Sequence, residues 1–519
     1  MYRQARAAIG RLDPVLLAAI AIGLVLRVWE FGTLPPGLNQ DEASTAYDAF
    51  SLVHYGVDRH GFHFPVMLVS WGSGMYALAS YVEAPFIWLF GLTVRSVRLP
   101  FLLAGVSAIP LFYGLLRDTT DRQTARIGVI LLAVSPWHVM VSRWGLDCNL
   151  FPFVFLLATV LLVRSIKRPW WLLGAAILYA STLYAYGTAY VVVPVFTAIV
   201  LAHGLRHRLW PIRNVLVATA ASVVLAVPIG LYVAVNSLGW NSIETPFFSV
   251  PRLTGVPRFQ TMGNLHVLST EFFRRAADNW GHAAELLQSQ DDGLIWNTLP
   301  KYGITYWFSP FLAVAGFALV SSTNIRCARH ASFPILAWCV AAIVLMAFVT
   351  VNTNRANIAM FPFIYCMAVA GSLLWNHRPL RILGCILVLI SLIGFVSTYF
   401  GSYRKIAAEP FFASFGEAVV YAAAQTKGEV CITGSVNMPY IFVLFYTQED
   451  PRAFAKTVRY ENPGAEFEGV TSFGRYKFGL QTCAESASAV VATHVEAEKL
   501  DAKKFVMKGF ERYTVLLRR

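Results

Sequence analysis

Two adjacent carboxylates, Asp41 and Glu42, occur in "GLNQDEASTAYDAF", directly after the first long apolar run of the chain. Ionisable groups at membrane depth are costly to bury and usually mark a functional site. A carboxylate in such a place can act as a general base that removes a proton from a hydroxyl or an amine. The pair therefore predicts a catalytic centre, with one structural alternative, in which Asp41 only caps a helix that begins near Ser44.

Further polar side chains occur in two later segments, "SPWHVMVSRWGLDCNLFP" and "VNTNRANIAMFPF". They are His138, Arg143, Asp147 and Asn149 in the first segment, and Asn352 and Arg355 in the second. Arginine presents a fixed fork of N–H donors that suits a departing phosphate, so we predict that Arg143 and Arg355 bind a donor phosphate. We expect His138, Asn149 and Asn352 to bind substrate. An i,i+4 ion pair between Arg143 and Asp147 is the structural alternative.

The composition indicates an integral membrane protein. Of the 519 residues, 56% are hydrophobic and only 14% are charged, and the mean hydropathy is +0.55. Soluble domains carry a charged fraction of about 25%. The net charge of +13 could indicate a nucleic-acid partner, but proteins with many spans collect Lys and Arg on their cytoplasmic loops. We therefore predict no nucleic-acid partner.

Apolar runs of roughly 20 residues predict about eleven membrane spans, with the N-terminus inside. The predicted spans are 13–31, 98–116, 125–143, 149–165, 170–187, 189–205, 214–235, 302–322, 332–351, 356–375 and 380–399. Because successive spans cross the membrane in opposite directions, the short basic loops lie on the same side of the membrane as the N-terminus, as the positive-inside rule requires. The run 75–92 is long enough to cross, but it contains Glu83 and Pro85 and would invert every later loop. We therefore predict that it lies at the outer interface as a juxtamembrane helix.

Three regions are then predicted to face outward: a first outer loop at 32–97, a segment at 236–301 and a tail at 401–519. The polar segment 236–301 could cover the active site as a mobile lid or merely connect two spans. The tail alternates short β-rich runs with polar turns, which is typical of a small soluble α/β domain. We therefore divide the chain into a transmembrane domain at 1–400 and an extracytoplasmic α/β domain at 401–519.

Metal and redox chemistry have weaker signals. In the first outer loop, "HYGVDRHGFHFPV" contains Asp58, His60 and His63, which are weak candidates for a divalent metal by ligand type. A polar loop with satisfied histidines is the more ordinary interpretation. No other cofactor is predicted. Cys431 and Cys483, both in the tail, could form a disulfide or stay reduced.

The combination of carboxylates, arginines and an outer membrane face restricts the donor. Because nucleotides are absent outside the membrane, an activated sugar there would have to be carried on a lipid phosphate. A base would activate the acceptor, and arginines would neutralise the departing phosphate. The pattern therefore predicts a sugar transferase with a polyprenyl carrier. A transporter or flippase for a lipid-linked sugar is the alternative, although carriers place their charges near the midplane, often in two symmetric halves.

Three segments resemble the GT-C superfamily of membrane glycosyltransferases, in particular the bacterial relatives of the protein O-mannosyltransferases and the lipid A aminoarabinose transferases (bacterial family 39 type). They are "GLNQDEASTAYDAF", "VRLPFLLAGVSAIPLFYGLLRD" and "LLAVSPWHVMVSRWGLDCNLFPF". The resemblance covers roughly residues 13 to 400 and implies a long first outer loop with interfacial helices. It implies that Asp41 is the catalytic carboxylate, with Glu42 beside it. It also implies that Asp147 is a second essential acid and that Arg355 lies near the lipid phosphate.

We expect, on this basis, an inverting transfer of a sugar from a polyprenyl-phosphate donor. The acceptor, a lipid, a glycan or a protein, would react at the outer face of a bacterial inner membrane, in contact with membrane lipid. One departure concerns the acceptor: the lysine-proline pair that aminoarabinose transferases carry in the first loop is absent, and "SWGSGMYAL" stands in its place. The sequence therefore predicts the reaction class but leaves the sugar and the acceptor open.

Overall fold

Helices make up most of the chain before residue 400. The computed structural model describes residues 13–257, 269–299, 302–322 and 329–519. In this part, the helices before residue 400 are α1 (Pro14–Val28), α2 (Gln40–Tyr55), α3 (Leu78–Phe90), α4 (Val94–Thr119), α5 (Arg122–Val134), α6 (Pro136–Val141), α7 (Asp147–Ser165), α8 (Trp171–Ser181), α9 (Ala189–Arg206), α10 (Ile212–Ser237), α11 (Thr270–Ser289), α12 (Ser309–Ser321), α13 (Arg329–Phe348), α14 (Thr353–Ala356), α15 (Met360–Trp375) and α16 (Arg378–Tyr399). Two small hairpins pair β1 (Met67–Leu68) with β2 (Met75–Tyr76) and β3 (Ile243–Glu244) with β4 (Ser249–Val250).

Seven stretches of the described chain are long and apolar enough to cross a membrane. They are α4, α7, α9, α10, α13 from His330, the continuous stretch Thr353–Trp375, and α16. The prediction of a polytopic helical protein is thereby confirmed, but the count of about eleven spans is not, since α1, α8 and α12 are apolar yet shorter. Helix α3 has 13 residues, about 20 Å of helix against a hydrocarbon core of about 30 Å. Because α12 is equally short, the interfacial position of α3 stays a prediction.

The predicted span 125–143 is wrong as a single helix. It is divided into α5 and α6 at Ser135, whose backbone is extended (φ −61°, ψ 125°). The cause is local, because the ring of Pro136 disfavours a helical conformation in the residue before it and prolines suit the first position of a new helix. The chain then turns and starts α7 at Asp147. The break brings the residues between α6 and α7 to one end of the bundle.

Aromatic packing holds α7 against its neighbours. The ring of Phe155 lies with its centroid 4.8 Å from that of Tyr179, 4.9 Å from that of Phe196 and 4.7 Å from that of Trp338. All four side chains are buried, and aromatic rings at these separations attract one another beyond their burial alone. The contacts join α7 to α8, α9 and α13, so the first turn of α7, which begins with Asp147, stands on a rigid support.

Residues after 400 form a mixed sheet flanked by short helices. The helices are α17 (Tyr403–Ala407), α18 (Phe415–Gln425), α19 (Pro439–Thr447), α20 (Pro451–Thr457), α21 (Leu480–Cys483) and α22 (His494–Ala497), and the strands are β5 (Val430–Ile432), β6 (Arg459–Tyr460), β7 (Val470–Phe473), β8 (Tyr476–Phe478), β9 (Ala489–Thr493), β10 (Phe505–Gly509) and β11 (Tyr513–Arg518). The strand order is β10-β11-β9-β5-β8-β7-β6, with β5 parallel to both β8 and β9. We call residues 401–519 the C-terminal unit.

The C-terminal unit packs directly on the first loop and on α2. One buried hydrophobic cluster contains Ala46, Phe50 and Trp71 together with Tyr440 and Phe442 of the C-terminal unit. The hydroxyl of Tyr47 donates to the carbonyl of Glu449 over 2.5 Å. The backbone N–H of Glu468 donates to the carbonyl of Trp71 over 2.8 Å. The unit is therefore continuous with the end of the bundle that carries Asp41.

Cys431 of β5 and Cys483 of α21 form a disulfide across 52 residues of sequence, which decides between the two outcomes that the sequence left open. In the chain-entropy account, closing a loop of this length stabilises the fold by about 4 kcal/mol. We therefore expect the Cys431→Ser/Cys483→Ser variant to unfold at a lower temperature, as measured by thermal unfolding in detergent without reductant. Cys385→Ser, which changes an exposed free cysteine, is the control and should unfold like the wild type. Equal midpoints for all three proteins would contradict the expectation.

Candidate active site

The N-terminus of α2 presents the adjacent acids in different directions. Asn39 is the cap of this helix, because its side chain accepts the N–H of Asp41 over 2.9 Å and the Glu42 carboxylate accepts the N–H of Asn39 over 3.1 Å. This is a capping box, which satisfies two free N–H groups at once. The alternative that Asp41 caps a helix from Ser44 is therefore wrong. The partly buried Asp41 carboxylate instead accepts the indole N–H of Trp71 over 3.3 Å.

Glu42 is fully buried and is engaged by four donors. Its two oxygens accept N–H groups of the Arg98 guanidinium over 2.8 and 2.9 Å, and Oε1 also accepts the N–H of Gly145 over 2.7 Å. The fourth donor is the N–H of Asn39. Arg98 in turn donates to the carbonyls of Pro35 and Gly37. Glu42 thus joins α2, α4 and the turn before α7, and this arrangement supports a positioning role rather than the catalytic role that the sequence suggested.

Acids of three helices approach one another at this end of the bundle. Asp147 begins α7 and is 6% exposed, with Oδ1 accepting the N–H of Cys148 over 2.7 Å. Glu83 of α3 is fully buried and accepts the hydroxyl of Thr45 over 3.3 Å. Burial, the Glu42 charge and the Asp147 charge raise the pKa of Glu83 well above its ordinary value. Glu83 thus lies close enough to both acids to be affected by their charges, and its place in an apolar helix is what made it conspicuous in the sequence.

Two asparagines and an indole form a hydrogen-bond network at the start of α7, close to Asp147 in the sequence. The amide of Asn357 donates to the carbonyl of Cys148 over 3.2 Å and lies 3.3 Å from the side-chain oxygen of Asn149. The indole N–H of Trp137 donates to the Asn357 oxygen over 2.6 Å. Asn149 is thus held in place at the end of the bundle where it was expected. Asn357, two residues after the predicted Arg355, was missed.

His138 lies in the protein interior. Its Nδ1 is 2.7 Å from a terminal nitrogen of Arg27, and its ring packs against Trp137 and Phe361. With Asn149 it lines a cavity of about 20 Å³, which is enough for one water molecule and too small for a sugar. The predicted substrate contact of His138 is therefore not supported. The sequence did not indicate its partner Arg27, which is marked only by being a charged residue in an apolar run.

Arg143 is fully buried and its four terminal N–H groups are used by the backbone. They donate to the carbonyls of Leu26 and Arg27, at the end of α1, and to those of Glu30 and Leu34, over 2.8 to 3.2 Å. A cation at a helix C-terminus satisfies carbonyls that have no partner within the helix. The geometry therefore does not support the prediction that Arg143 binds a donor phosphate.

Arg355 has a different setting. It is partly exposed, and among the described residues its guanidinium donates one hydrogen bond, from one terminal nitrogen to the carbonyl of Thr350 over 2.8 Å. The remaining N–H groups can reach a ligand. The side chain of Asn352 accepts the N–H of Arg355 over 2.9 Å and caps α14, which gives Asn352 a structural role where substrate binding was expected.

The weak metal candidates form a turn. The Asp58 carboxylate accepts the N–H groups of His60 and Phe62, each over 2.9 Å. Burial and the Asp48 charge raise the pKa of Asp58 to about 7, and metal ligands must be deprotonated. The ring of His60 contacts the carbonyl of Ser70. In the described ranges, no three His, Cys, Asp or Glu residues, His63 included, form a group suited to a metal ion.

The chain is similar in sequence or in fold to several known proteins. Residues 77–232 match the family Dolichyl-phosphate-mannose-protein mannosyltransferase. Over 97% of both chains, the structure is similar to the crystal structure of ArnT from Cupriavidus metallidurans bound to undecaprenyl phosphate, with a TM-score of 0.55 and 14% identity. The crystal structure of the same ArnT in the apo state has a TM-score of 0.54 and 13% sequence identity over 98% of both chains. The predicted resemblance to the GT-C superfamily is confirmed.

Two relatives with provisional mannosyltransferase names come from Bacillus subtilis (strain 168). YycA is 29% identical over 119 residues, 22% of this chain, and YkcB is 39% identical over 89 residues, 17% of this chain. The aligned parts span only 17% and 12% of the lengths of these relatives. The family match at 77–232 includes the segment from Glu83 to Asn149, whereas Asp41 and Arg355 lie outside it. The roles of these two residues therefore depend on their geometry in this structure.

Proposed function

We propose that this GT-C protein is an inverting glycosyltransferase that moves a sugar from a polyprenyl-phosphate carrier to an acceptor. One observation carries the proposal: of the two adjacent acids, Glu42 is neutralised by Arg98, whereas Asp41 is partly exposed and accepts an N–H group that favours its charged form. Such a carboxylate can accept a proton from an incoming hydroxyl or amine. The binding of undecaprenyl phosphate by ArnT supports the donor class.

The proposed reaction is a single displacement at the anomeric carbon. Asp41 takes the proton of the acceptor as the acceptor oxygen or nitrogen forms the new bond to that carbon. The bond from the same carbon to the phosphate oxygen breaks, and the polyprenyl phosphate leaves with the electron pair. Attack opposite the leaving group inverts the configuration. Arg355 donates to the departing phosphate, and Asp147 orients the acceptor or a basic partner.

The orientation is part of the proposal. The C-terminal unit contacts the end of the bundle that carries Asp41. At the other end of the bundle, Asp13 at the start of α1 forms ion pairs with Arg122 and Arg126 at the start of α5. Basic residues collect on the cytoplasmic side of membrane proteins. We therefore place the site and the C-terminal unit outside a bacterial inner membrane, with residues 1–400 as the membrane domain and 401–519 as an extracytoplasmic domain. The acceptor is a lipid, a glycan or a protein.

Purified protein in detergent should form a new glycosidic bond with a polyprenyl-monophosphate sugar and none with the UDP- or GDP-linked sugar, as measured with radiolabelled donors. Arg355→Ala should reduce this transfer about 10- to 100-fold, because it removes charge-assisted hydrogen bonds to the phosphate. Arg252→Ala, which changes an exposed arginine, is the matched control and should transfer at the wild-type rate. Turnover with a nucleotide sugar alone would contradict the donor, and movement of a lipid-linked sugar without a new bond would favour a transporter.

A further inference from the structure

Trp71 connects the proposed base to the C-terminal unit. Its indole N–H donates to Asp41 Oδ1 over 3.3 Å, and its side chain is 1% exposed. An N–H group held at a carboxylate by a fixed ring both orients that carboxylate and stabilises its charge. The hydrogen bond therefore affects two properties that a general base needs: the orientation of its carboxylate and its protonation state.

Two contacts from the C-terminal unit hold Trp71. The Tyr440 ring meets the indole edge to face, with centroids 6.0 Å apart and an interplanar angle of 86°. The N–H of Glu468 donates to the Trp71 carbonyl over 2.8 Å, so the backbone is held as well as the ring. The C-terminal unit thus determines where the indole N–H points, although it contributes no group to Asp41 directly through these contacts.

A buried cation also lies beside this ring. The Arg59 guanidinium carbon is 5.1 Å from the Trp71 ring centroid and 6.0 Å from that of Tyr440. Arg59 is itself held by Asp48, with 3.5 Å between the terminal nitrogen and Oδ2. The attraction between a cation and an aromatic face stabilises the position of the ring. Arg59, held by Asp48, therefore adds a further support for the indole that donates to Asp41.

We propose that Trp71 is a positioning residue for Asp41 and that the C-terminal unit is part of the catalytic centre because it fixes Trp71. The inference rests on the proposed function for the role of Asp41, but the hydrogen bond and its supports can be tested without turnover. Trp71→Phe is the informative change, because phenylalanine keeps an aromatic ring beside Arg59 and Tyr440 and lacks the indole N–H donor.

The first experiment is an infrared pH titration of the full-length protein in detergent. The band of the protonated Asp41 carboxyl is identified as the one that Asp41→Asn lacks, and its titration midpoint is compared between proteins. Loss of the N–H donor disfavours the charged form, so the midpoint in Trp71→Phe should move up by about one pH unit. Trp144→Phe is the matched control, since the buried Trp144 indole N–H has no partner among the described residues. An unchanged midpoint in Trp71→Phe would overturn the proposal, whatever the activity.

The second experiment is the pH dependence of sugar transfer. The acidic limb of the Trp71→Phe profile should move to higher pH by the same interval, with the rate restored at alkaline pH. A merely structural role would lower the rate equally at every pH and would overturn the inference. If the wild type forms no glycosidic bond, the proposed function fails, while the infrared titration still decides the role of Trp71.

The third comparison tests the contribution of the C-terminal unit. Tyr440→Leu removes the edge-to-face contact and should reproduce part of the shift in the infrared midpoint. Tyr513→Leu is its control, because Tyr513 is buried in the same unit and its ring packs on Phe415. Equal midpoints in Tyr440→Leu and the wild type would show that the C-terminal unit does not act on Asp41 and would remove this part of the proposal.

Discussion

Asp41→Asn is expected to lower the rate of sugar transfer by about two to four orders of magnitude, the usual contribution of a general base. The amide oxygen of asparagine can still accept the indole N–H of Trp71, and Asn39 still caps α2. The substitution therefore removes the basicity of the side chain and keeps the geometry around it. The measurement is the initial rate with a polyprenyl-monophosphate sugar, together with a thermal unfolding curve to show that the fold is intact.

Asp118→Asn provides the control for this loss. Asp118 pairs with Arg164 on the surface at 3.0 Å, with both side chains partly exposed, and such a pair contributes about 0–1 kcal/mol. Its substitution should leave transfer unchanged. A normal rate in Asp41→Asn would mean that another group takes the proton. Asp147 would then be the first residue to test, because Glu42 is paired with Arg98 and the family resemblance implies that Asp147 is a second essential acid.

The acid pair illustrates what the sequence could and could not predict. Its position after an apolar run correctly indicated that the carboxylates lie at one end of a helical bundle. The pairing of Glu42 with a buried cation depends on Arg98, 56 residues away in the sequence, and no local pattern reveals such a partner. One local signal was available, since Asn39 and Glu42 have the spacing of a capping box. That spacing predicts a structural role for Glu42 and a cap other than Asp41.

The two predicted phosphate-binding arginines differ for a similar reason. Both follow apolar segments, and both were expected at the same end of the bundle. Arg143 is used by carbonyls at the end of α1 and in the turn after it, whereas Arg355 extends from the short helix α14 with most of its donors free among the described residues. The difference follows from how α1 packs against the turn before α7, a tertiary contact that hydropathy does not encode.

The C-terminal unit shows what the pattern of hydrophobic residues cannot decide, namely whether a short apolar run forms a strand or a helix. The sequence predicts short β-rich runs in the tail, but the apolar run "IFVLFY" within it lies in the helix α19, which begins at Pro439 and is largely buried. A short continuous apolar run fits a buried strand and a buried helix equally well. The packing of this helix beside α2 and Trp71 was also beyond the sequence, because a local pattern does not indicate which surface a buried segment will cover.

The ion pair of Glu42 and Arg98 gives the second large expected effect. Both side chains are fully buried, with 2.8 Å between Nε and Oε1. Removal of one partner from a buried pair leaves an uncompensated charge and costs about 3–5 kcal/mol. We therefore expect Arg98→Met, which keeps an apolar side chain in the space, to lower the free energy of unfolding by this amount in a denaturant titration in detergent. Arg274→Met is the control, because Arg274 forms an exposed i,i+3 pair with Glu271 and should cost at most about 1 kcal/mol.

The double variant Arg98→Met/Glu42→Gln separates the charge from the loss of contacts. Glutamine can still accept the N–H of Gly145, so the double variant removes both buried charges and keeps one of the bonds between α2 and the turn before α7. If an unpaired charge causes the destabilisation, the double variant should be more stable than Arg98→Met alone, because the remaining carboxylate is no longer charged. A double variant that loses the sum of both single effects would instead mean that the two residues act independently. Glu42 could then not be regarded as the structural partner of Arg98, and its proposed positioning role would have to be withdrawn.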